Sequence, residues 1–544
     1  MRLFFLVNAM VSFYKAEKKT AAPKALEVSC HSLDIQGRGV CKTTDKIYFV
    51  DNLLPSEQAR VIPALSQAVA GSAASKDKTA VATVTKYLTT SSERLTPTCP
   101  LQERCGGCPL AHIPPQMAFT AKIQGVAKIL TKAVLQGMVS AKESKVSQAV
   151  GMSKLGKQST IKQALAQKQA AEKNAAQQQA IKAMASEAAA VVATPHFALQ
   201  AADSGYRRAC RLAVRSDHHK MVLGFREGAS QDLVPVTSCE VLTPRLNALL
   251  TPLKTLLNQM EGKRSLGHIE LLDSDGAVGV LLRLTQKLSA ADEATLLAFG
   301  KEQHCVLSVL EPFKQLDDTE VVRERLIYDE GNTAAEAATA AASAEASSNA
   351  DLNLSSALYV MSQQCRIYCS PSSFVQVNAA INARMVEAVV NEVQPHAGQK
   401  VLDLFSGLGN FALPLAKSGS TVVGIDIVSD MVRRANYNAM VNGIDAEQAK
   451  FFVADLEAPF ESQLWAKDHY DVVVMDPGRM GAKRAVQYMA KLQPEKIIMI
   501  SCNPLAAARD CSQLLAAHYK ISSWSAFDMF PRTRHVEIML VFTR

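Results

Sequence analysis

Residues 401–416 read VLDLFSGLGNFALPLA. An apolar run, VLDLF, turns sharply at Gly407 and Gly409 and passes into a helical pattern. Glycines at such a turn let the backbone bend tightly and come close to a ligand. Four more apolar runs follow: TVVGIDIV at 421–428, AKFFVAD at 449–455, YDVVVMDP at 470–477 and KIIMISC at 496–502. Helical patterns lie between them. Strands that read as near-continuous apolar runs and alternate with helices form a parallel sheet covered on both faces. The expected fold class is therefore α/β, with a Rossmann-like C-terminal domain over residues 371–544.

Polar residues punctuate the ends of these strands. Asp426 closes TVVGID, where an ionised carboxylate, an acceptor only, can take both hydroxyls of a ribose. Asp455 closes the third strand and can hold an adenine edge. Asp476 closes DVVVM and puts another carboxylate on the same rim. Ligands of open parallel sheets bind outside the carboxyl ends of the strands. Two adenosine cofactors compete for such a site. The turn G-L-G-N-F is not the G-x-G-x-x-G of a dinucleotide site, and the sheet runs on into a cysteine motif. Both points favour S-adenosylmethionine over NAD.

That motif is Ser501-Cys502-Asn503-Pro504. A thiolate is the nucleophile, so its pKa must be lowered or a base must assist. A helix is expected from about Leu505, and its positive end would favour a thiolate at Cys502. A buried, inert thiol is the commoner fate of a strand cysteine, but the Asn-Pro turn places Cys502 at the strand's end. Glu537 sits in TRHVEIMLVF at 533–542. A carboxylate in an apolar run is costly unless paired or functional; it is a candidate base with a raised pKa, the bland alternative being an outward edge charge. The pair suits methylation at C5 of uracil. Thiolate addition to C6 makes C5 nucleophilic, C5 takes the methyl group, and a base then removes the C5 proton so that the thiolate can leave.

The 544 residues carry a net charge of +8, which permits a polyanionic partner without requiring one. Twelve cysteines in so long a chain point to metal binding or catalysis more than to a disulfide framework. The opening MRLFFLVNAMVSF faintly resembles a signal peptide, but no clear cleavage site follows and it is too short to span a bilayer. A cytoplasmic protein without a membrane role is expected. Residues 26–96 read as a small β domain and 97–370 as a central α/β domain. Within the latter, the Ala/Gln/Lys-rich stretch 138–195 reads as a solvated helix or partly disordered insertion, and 332–350 as a disordered loop. Cys99, Cys105 and Cys108 supply three thiolates in a short loop. A fourth, from Cys210 or Cys239, would complete a set that zinc and an iron–sulfur cluster both accept; a disulfide is the plain alternative. Arg207, Arg208 and Arg211 could contact phosphates or line a solvated strand face.

DLFSGLGNF, MDPGRMG, SCNP with Ala508-Arg509-Asp510, FPRTRHVE and FVQVNAAIN at 374–382 together resemble the RNA uracil-C5 methyltransferases. The likeness spans most of the chain outside the two low-complexity stretches. It implies an S-adenosylmethionine site lined by Gln376, Phe405, Asn410, Asp426, Asp455 and Asp476, with Cys502 as nucleophile and Glu537 as proton acceptor. Ser406 stands where close relatives often have Cys, and Asp426 and Asp455 stand where some have Glu and Asn. The resemblance further implies a [4Fe-4S] cluster on Cys99, Cys105, Cys108 and Cys239, and a TRAM domain, an RNA-binding β-barrel, over 26–96. That combination is similar to the branch acting on a uridine of 23S ribosomal RNA, with no obligate protein partner. The same chemistry on tRNA, and a non-catalytic RNA-binding protein with a vestigial methyltransferase fold, are the alternatives.

Overall fold

Residues 24–64, 79–150, 186–217, 220–228, 230–314, 320–330 and 355–544 are described in the computed structural model, and they fall into two units. The first, Arg38–Ser92 with the strands up to Asp34, is one six-stranded sheet. Its strands are β1 (Leu26–Ser29), β2 (Ser32–Leu33), β3 (Gly39–Lys42), β4 (Ile47–Val50), β5 (Gln58–Pro63) and β6 (Thr79–Thr89), in the order β1-β5-β6-β4-β3-β2. In β5, buried Ala59 and Val61 alternate with exposed Gln58, Arg60 and Ile62, the period of a half-buried strand.

The second unit, Ile35–Gly37 and Glu93–Arg544, contains both stretches 97–370 and 371–544. It begins with α1 (Pro115–Val150) and β7 (Ala198–Leu199). A seven-stranded sheet follows, built from β8 (Ala209–Asp217), β9 (Lys220–Arg226), β10 (Leu233–Pro235), β11 (Leu266–Asp273), β12 (Val278–Leu284), β13 (Cys305–Lys314) and β14 (Glu320–Tyr328). Helices α2 (Pro244–Gln259) and α3 (Ala290–Gln303) share a leucine-rich core with it, which includes Leu212, Ile269 and Leu282. A hairpin, β15 (Tyr359–Ser362) and β16 (Cys365–Tyr368), precedes the main sheet.

The runs that open the sequence reading become β17 (Lys400–Leu404), β18 (Thr421–Asp426), β19 (Ala449–Val453), β20 (Val472–Met475) and β21 (Lys496–Ser501), all parallel. Antiparallel β22 (Lys520–Phe527) and β23 (Glu537–Thr543) complete the order β19-β18-β17-β20-β21-β23-β22-β7. Strand order reverses between β17 and β20, where open sheets form a crevice at their carboxyl ends. One face packs Leu402, Leu404, Val473, Met475, Ile497 and Met499 beneath α1 and the helices Lys483–Leu492 and Pro504–Ala516. The other packs Val401, Val472, Val474, Ile498 and Ile500 beneath Ala379–Val393, Ala412–Lys417 and Ser429–Val441. Near-continuous apolar strands are what this two-sided burial demands.

The described ends of the Ala/Gln/Lys-rich stretch 138–195 are helical. Residues 138–150 continue α1, 186–193 are helical, and Val192 is fully buried in the core against the main sheet. An apolar anchor at its far end therefore returns the chain to the fold. Residues 151–185, the opening residues 1–23, and the run 332–350 lie outside the described residues. Among the described residues, no helix is long and apolar enough to cross a membrane.

Helix α1 crosses Pro504–Ala516 closely. A Cβ at Gly137 would stand 2.9 Å from the Ser512 carbonyl, and the Ser512 hydroxyl donates to the Ala133 carbonyl at 3.1 Å. On α1, Lys122 is 1% exposed and donates to Asp528 Oδ1 at 2.8 Å, itself 2% exposed. Asp528 also accepts from Gln200 Nε2 at 3.3 Å. Removing one partner of such a pair leaves an uncompensated buried charge. Lys122→Ala should therefore cost about 3–5 kcal/mol in urea unfolding, and Lys122→Met with Asp528→Leu should recover most of that loss.

Candidate active site

Alternation along the main sheet sets the site. Val401, Val472, Val474, Ile498, Ile500, Met539 and Val541 face one side. Asp403, Asp476, Cys502 and Glu537 share their parity and gather at one rim, the carboxyl ends of β17, β20 and β21 and the start of antiparallel β23. Register reinforces this, because Ser501 pairs with Ile538 and the next step opposes Cys502 to Glu537.

Burial dominates the electrostatics. Glu537 is 5% exposed, and burial, then the charge of Asp476, hold its carboxyl well above the usual range. Burial raises Asp476 to about 7, against the pull of Gln376, whose Nε2 donates to Asp476 Oδ2 at 3.3 Å. Asp403 is fully buried, and neither of its oxygens meets a donor in hydrogen-bond geometry. Burial, then Asp476, push its proton affinity up strongly, with the Ala412 N–H pulling the other way.

Cys502 departs from the sequence expectation. The helix does begin beside it, at Pro504, but Asn503 caps that helix, accepting from the Leu505 and Ala506 N–H groups. Burial, then Glu537 and Asp476, push the Cys502 thiol up to about 11, and Arg479 only partly opposes them. Burial, the largest cause, favours the protonated thiol despite the nearby helix end.

The remaining residues implied for the cofactor divide. Asp426 Oδ2 accepts from the Gly407 N–H at 3.0 Å and Oδ1 from the Val428 N–H at 2.9 Å, which fixes the carboxylate at the end of β18. Phe405, directly after β17, has φ 65°, a conformation strained for a bulky residue and held at ligand edges. No heavy atom lies within 4 Å of where a Cβ would stand at Gly407, so the turn leaves an open cradle. These features fit an adenosine-bearing donor. Asn410 instead pairs reciprocally with Asn382, both bonds at 3.0 Å. Asp455 is exposed and caps its own turn, accepting from the Glu457 N–H at 2.9 Å. Asp403 and Arg479 were given no role in the sequence reading. A carboxylate inside VLDLF carries the same signal as Glu537, and Arg479 lies within the MDPGRMG motif.

Four thiols interact on the other side of the FPRTRHVE loop. Burial, then Cys239, Cys105 and Cys99, push Cys108 up to about 12, while Arg532 opposes. Cys239 is likewise raised by burial, then by Cys105 and Cys99. Cys210 belongs to the leucine core of the central sheet, and burial raises it to about 12. Among the described residues, no three His, Cys, Asp or Glu side chains are placed to grip one metal ion. The thiols are thus no ready zinc tetrahedron, whose sulfurs lie about 2.3 Å from the metal.

Of the three arginines proposed for phosphate, Arg208 is buried. It pairs with Asp275 at 3.5 Å and donates to the Gln376 carbonyl at 3.0 Å, so it braces the active-site rim rather than meeting RNA. Arg207 Nε donates to the Ala209 carbonyl at 3.0 Å. Arg211 remains half-exposed, ion-paired to Glu270, on the sheet face away from α2 and α3. After burial, Arg211, Arg226 and Arg283 there disfavour protonation of His268, marking a local excess of positive charge.

The family model for tRNA (Uracil-5-)-methyltransferase matches residues 347–544. The 23S rRNA (uracil(1939)-C(5))-methyltransferase RlmD of Photobacterium profundum is 32% identical over 537 residues, 98% of this chain and 97% of that protein. The RlmD protein of Tolumonas auensis is 32% identical over 539 residues, 98% of this chain and all of that protein (100%). The structure of Pyrococcus abyssi tRNA (uracil-54, C5)-methyltransferase in complex with S-adenosyl-L-homocysteine matches with a TM-score of 0.61 at 18% identity, over 95% of this chain and 99% of that one, so the fold is shared. Given that likeness over almost its whole length, the chain belongs to the RNA uracil-C5 methyltransferase family.

Proposed function

We propose that this protein transfers a methyl group from S-adenosylmethionine to C5 of a uridine in 23S rRNA. The convergence of Cys502, Glu537 and Asp476 on one rim carries the reading. Near-full-length likeness to RlmD proteins supports rRNA over tRNA, and the arginine-rich face of the central sheet gives a polyanion a place to lie. We further assign 26–96 to a TRAM domain, 97–370 to a central domain and 371–544 to the methyltransferase domain, and a [4Fe-4S] cluster to Cys99, Cys105, Cys108 and Cys239.

Cys502 first loses its thiol proton to solvent; the thiolate then bonds to C6, and the π electron pair of the C5–C6 bond moves through the ring onto the C4 oxygen as an enolate. C5 then attacks the methyl group, and its bond to sulfur breaks. The bound donor supplies that methyl group and a positive charge. Glu537, once ionised, takes the proton from C5, the C5=C6 bond re-forms and the C6–S bond breaks. Gln376 keeps Asp476 oriented, and Asp426 offers its remaining lone pairs to ribose hydroxyls.

Cys502→Ala should abolish methyl transfer to rRNA, measured with labelled donor. Glu537→Gln should instead form the methylated adduct and fail to release it, giving an enzyme–RNA band on denaturing gels. A released product with Glu537→Gln at the wild-type rate would refute the assigned base.

The raised thiol sets a pH dependence. Adduct formation in single-turnover experiments should keep rising from about pH 6 to about pH 9, with no plateau near the ordinary thiol value of about 8.5. The sign follows from the thiol, protonated below its raised pKa and reactive only above it.

Purified protein should be brown, and Cys99→Ser should lose the visible absorption and the iron. A colourless, iron-free but active protein would remove the cluster.

A further inference from the structure

Arg532 stands in the loop between β22 and β23, five residues before Glu537. Its backbone holds φ 62°, a left-handed conformation that a non-glycine residue keeps only when its surroundings impose it. Those surroundings are specific. Its Nε donates to Asp203 Oδ2 at 2.9 Å and its Nη1 to Glu240 Oε2 at 2.5 Å. The other oxygen of Glu240 accepts from the Thr98 hydroxyl at 2.6 Å. The Arg532 carbonyl accepts from the Leu110 N–H at 3.0 Å, and the carbonyl before it, of Pro531, from the Tyr206 hydroxyl at 3.0 Å.

The sequence neighbours of these partners give the contacts their meaning. Thr98 precedes Cys99, Glu240 follows Cys239, and Leu110 lies two residues after Cys108. One arginine therefore ties together the chain segments that carry three of the four interacting thiols, and its charge bears on the thiol of Cys108. Its own chain leads directly into β23, whose first residue is Glu537. A guanidinium suits this junction because its planar fork meets two carboxylates from different segments at once, which an ammonium cannot do with fixed geometry.

We propose that Arg532 is a positioning residue that locks the start of β23, and so Glu537, to the frame of the four cysteines. Filling that frame then governs how well Glu537 meets the C5 proton. This rests on the readings of Glu537 as the base and of the thiols as cluster ligands. It gives the cluster a part in the reaction without electron transfer, through the rigidity of one loop.

The test uses the full-length enzyme with rRNA substrate and the variants Arg532→Ala, Arg532→Gln, Arg532→Lys and Glu537→Gln. Iron content, melting temperature, kcat, KM for the methyl donor and the fraction of covalent enzyme–RNA complex are measured for each. Arg532→Ala should lower kcat about tenfold to a hundredfold, the scale of a small misplacement of a reacting group. KM for the donor should stay unchanged while methylated covalent complex accumulates. Arg532→Lys should be intermediate, and Arg532→Gln takes the place of the alanine variant if that one melts early. Removing iron from the wild type with a chelator should produce the same accumulation and should add little in Arg532→Ala. Loss of activity without accumulated complex, or release at the wild-type rate, would overturn the assignment of Arg532. Failure of Glu537→Gln to accumulate complex would overturn the underlying base assignment as well; accumulation there with none in Arg532→Ala would overturn the positioning role alone.

Discussion

Four acidic or nucleophilic groups at the ends of fully buried strands constrain everything else in the catalytic half. A strand that is apolar on both faces can carry a carboxyl only at a cost, and Asp403, Asp476 and Glu537 are all carboxyls held above their ordinary proton affinity by burial. Side-chain alternation with period two sends Asp403, Asp476, Cys502 and Glu537 to the same side. In the parallel register Asp403 pairs with Val474 and Val474 with Ile498, so Asp403, Asp476 and Cys502 step outward by two residues from strand to strand, and antiparallel β23 brings Glu537 opposite the last step. A shift of one residue in any of these pairings would turn a reacting group into the opposite core.

Much of this was legible in the sequence because it rests on local pattern. The five apolar runs became the five parallel strands, and Glu537 was exposed by its apolar surroundings. Other features depend on partners far away in the chain. Asn410 reads as a ligand contact, and the sequence does not show that one N–H and one lone pair of its amide are committed to Asn382 on a separate helix. Arg208 read as a phosphate contact because the Asp275 that buries it lies on another strand connection. The state of Cys502 was misread for a similar reason. The helix after it is where the sequence puts it, but Asn503 occupies the helix end and two distant carboxyls face the thiol.

Side chains from outside the catalytic sheet tie down its rim. Arg208 reaches from β8's approach to the Gln376 carbonyl, and Gln376 reaches Asp476. Lys122 reaches from α1 to Asp528, at the start of the loop that ends on Glu537. The buried ends of these links are costly to break, which keeps this rim rigid.

The resting site holds its protons, and that has a chemical logic. A thiolate free at neutral pH would be open to oxidation and to unwanted electrophiles. Pushed up to about 11 by burial and by its acidic neighbours, Cys502 is poorly reactive alone. The same burial that suppresses it also strengthens its response to charge, because interactions in a low-dielectric cleft are larger than in water.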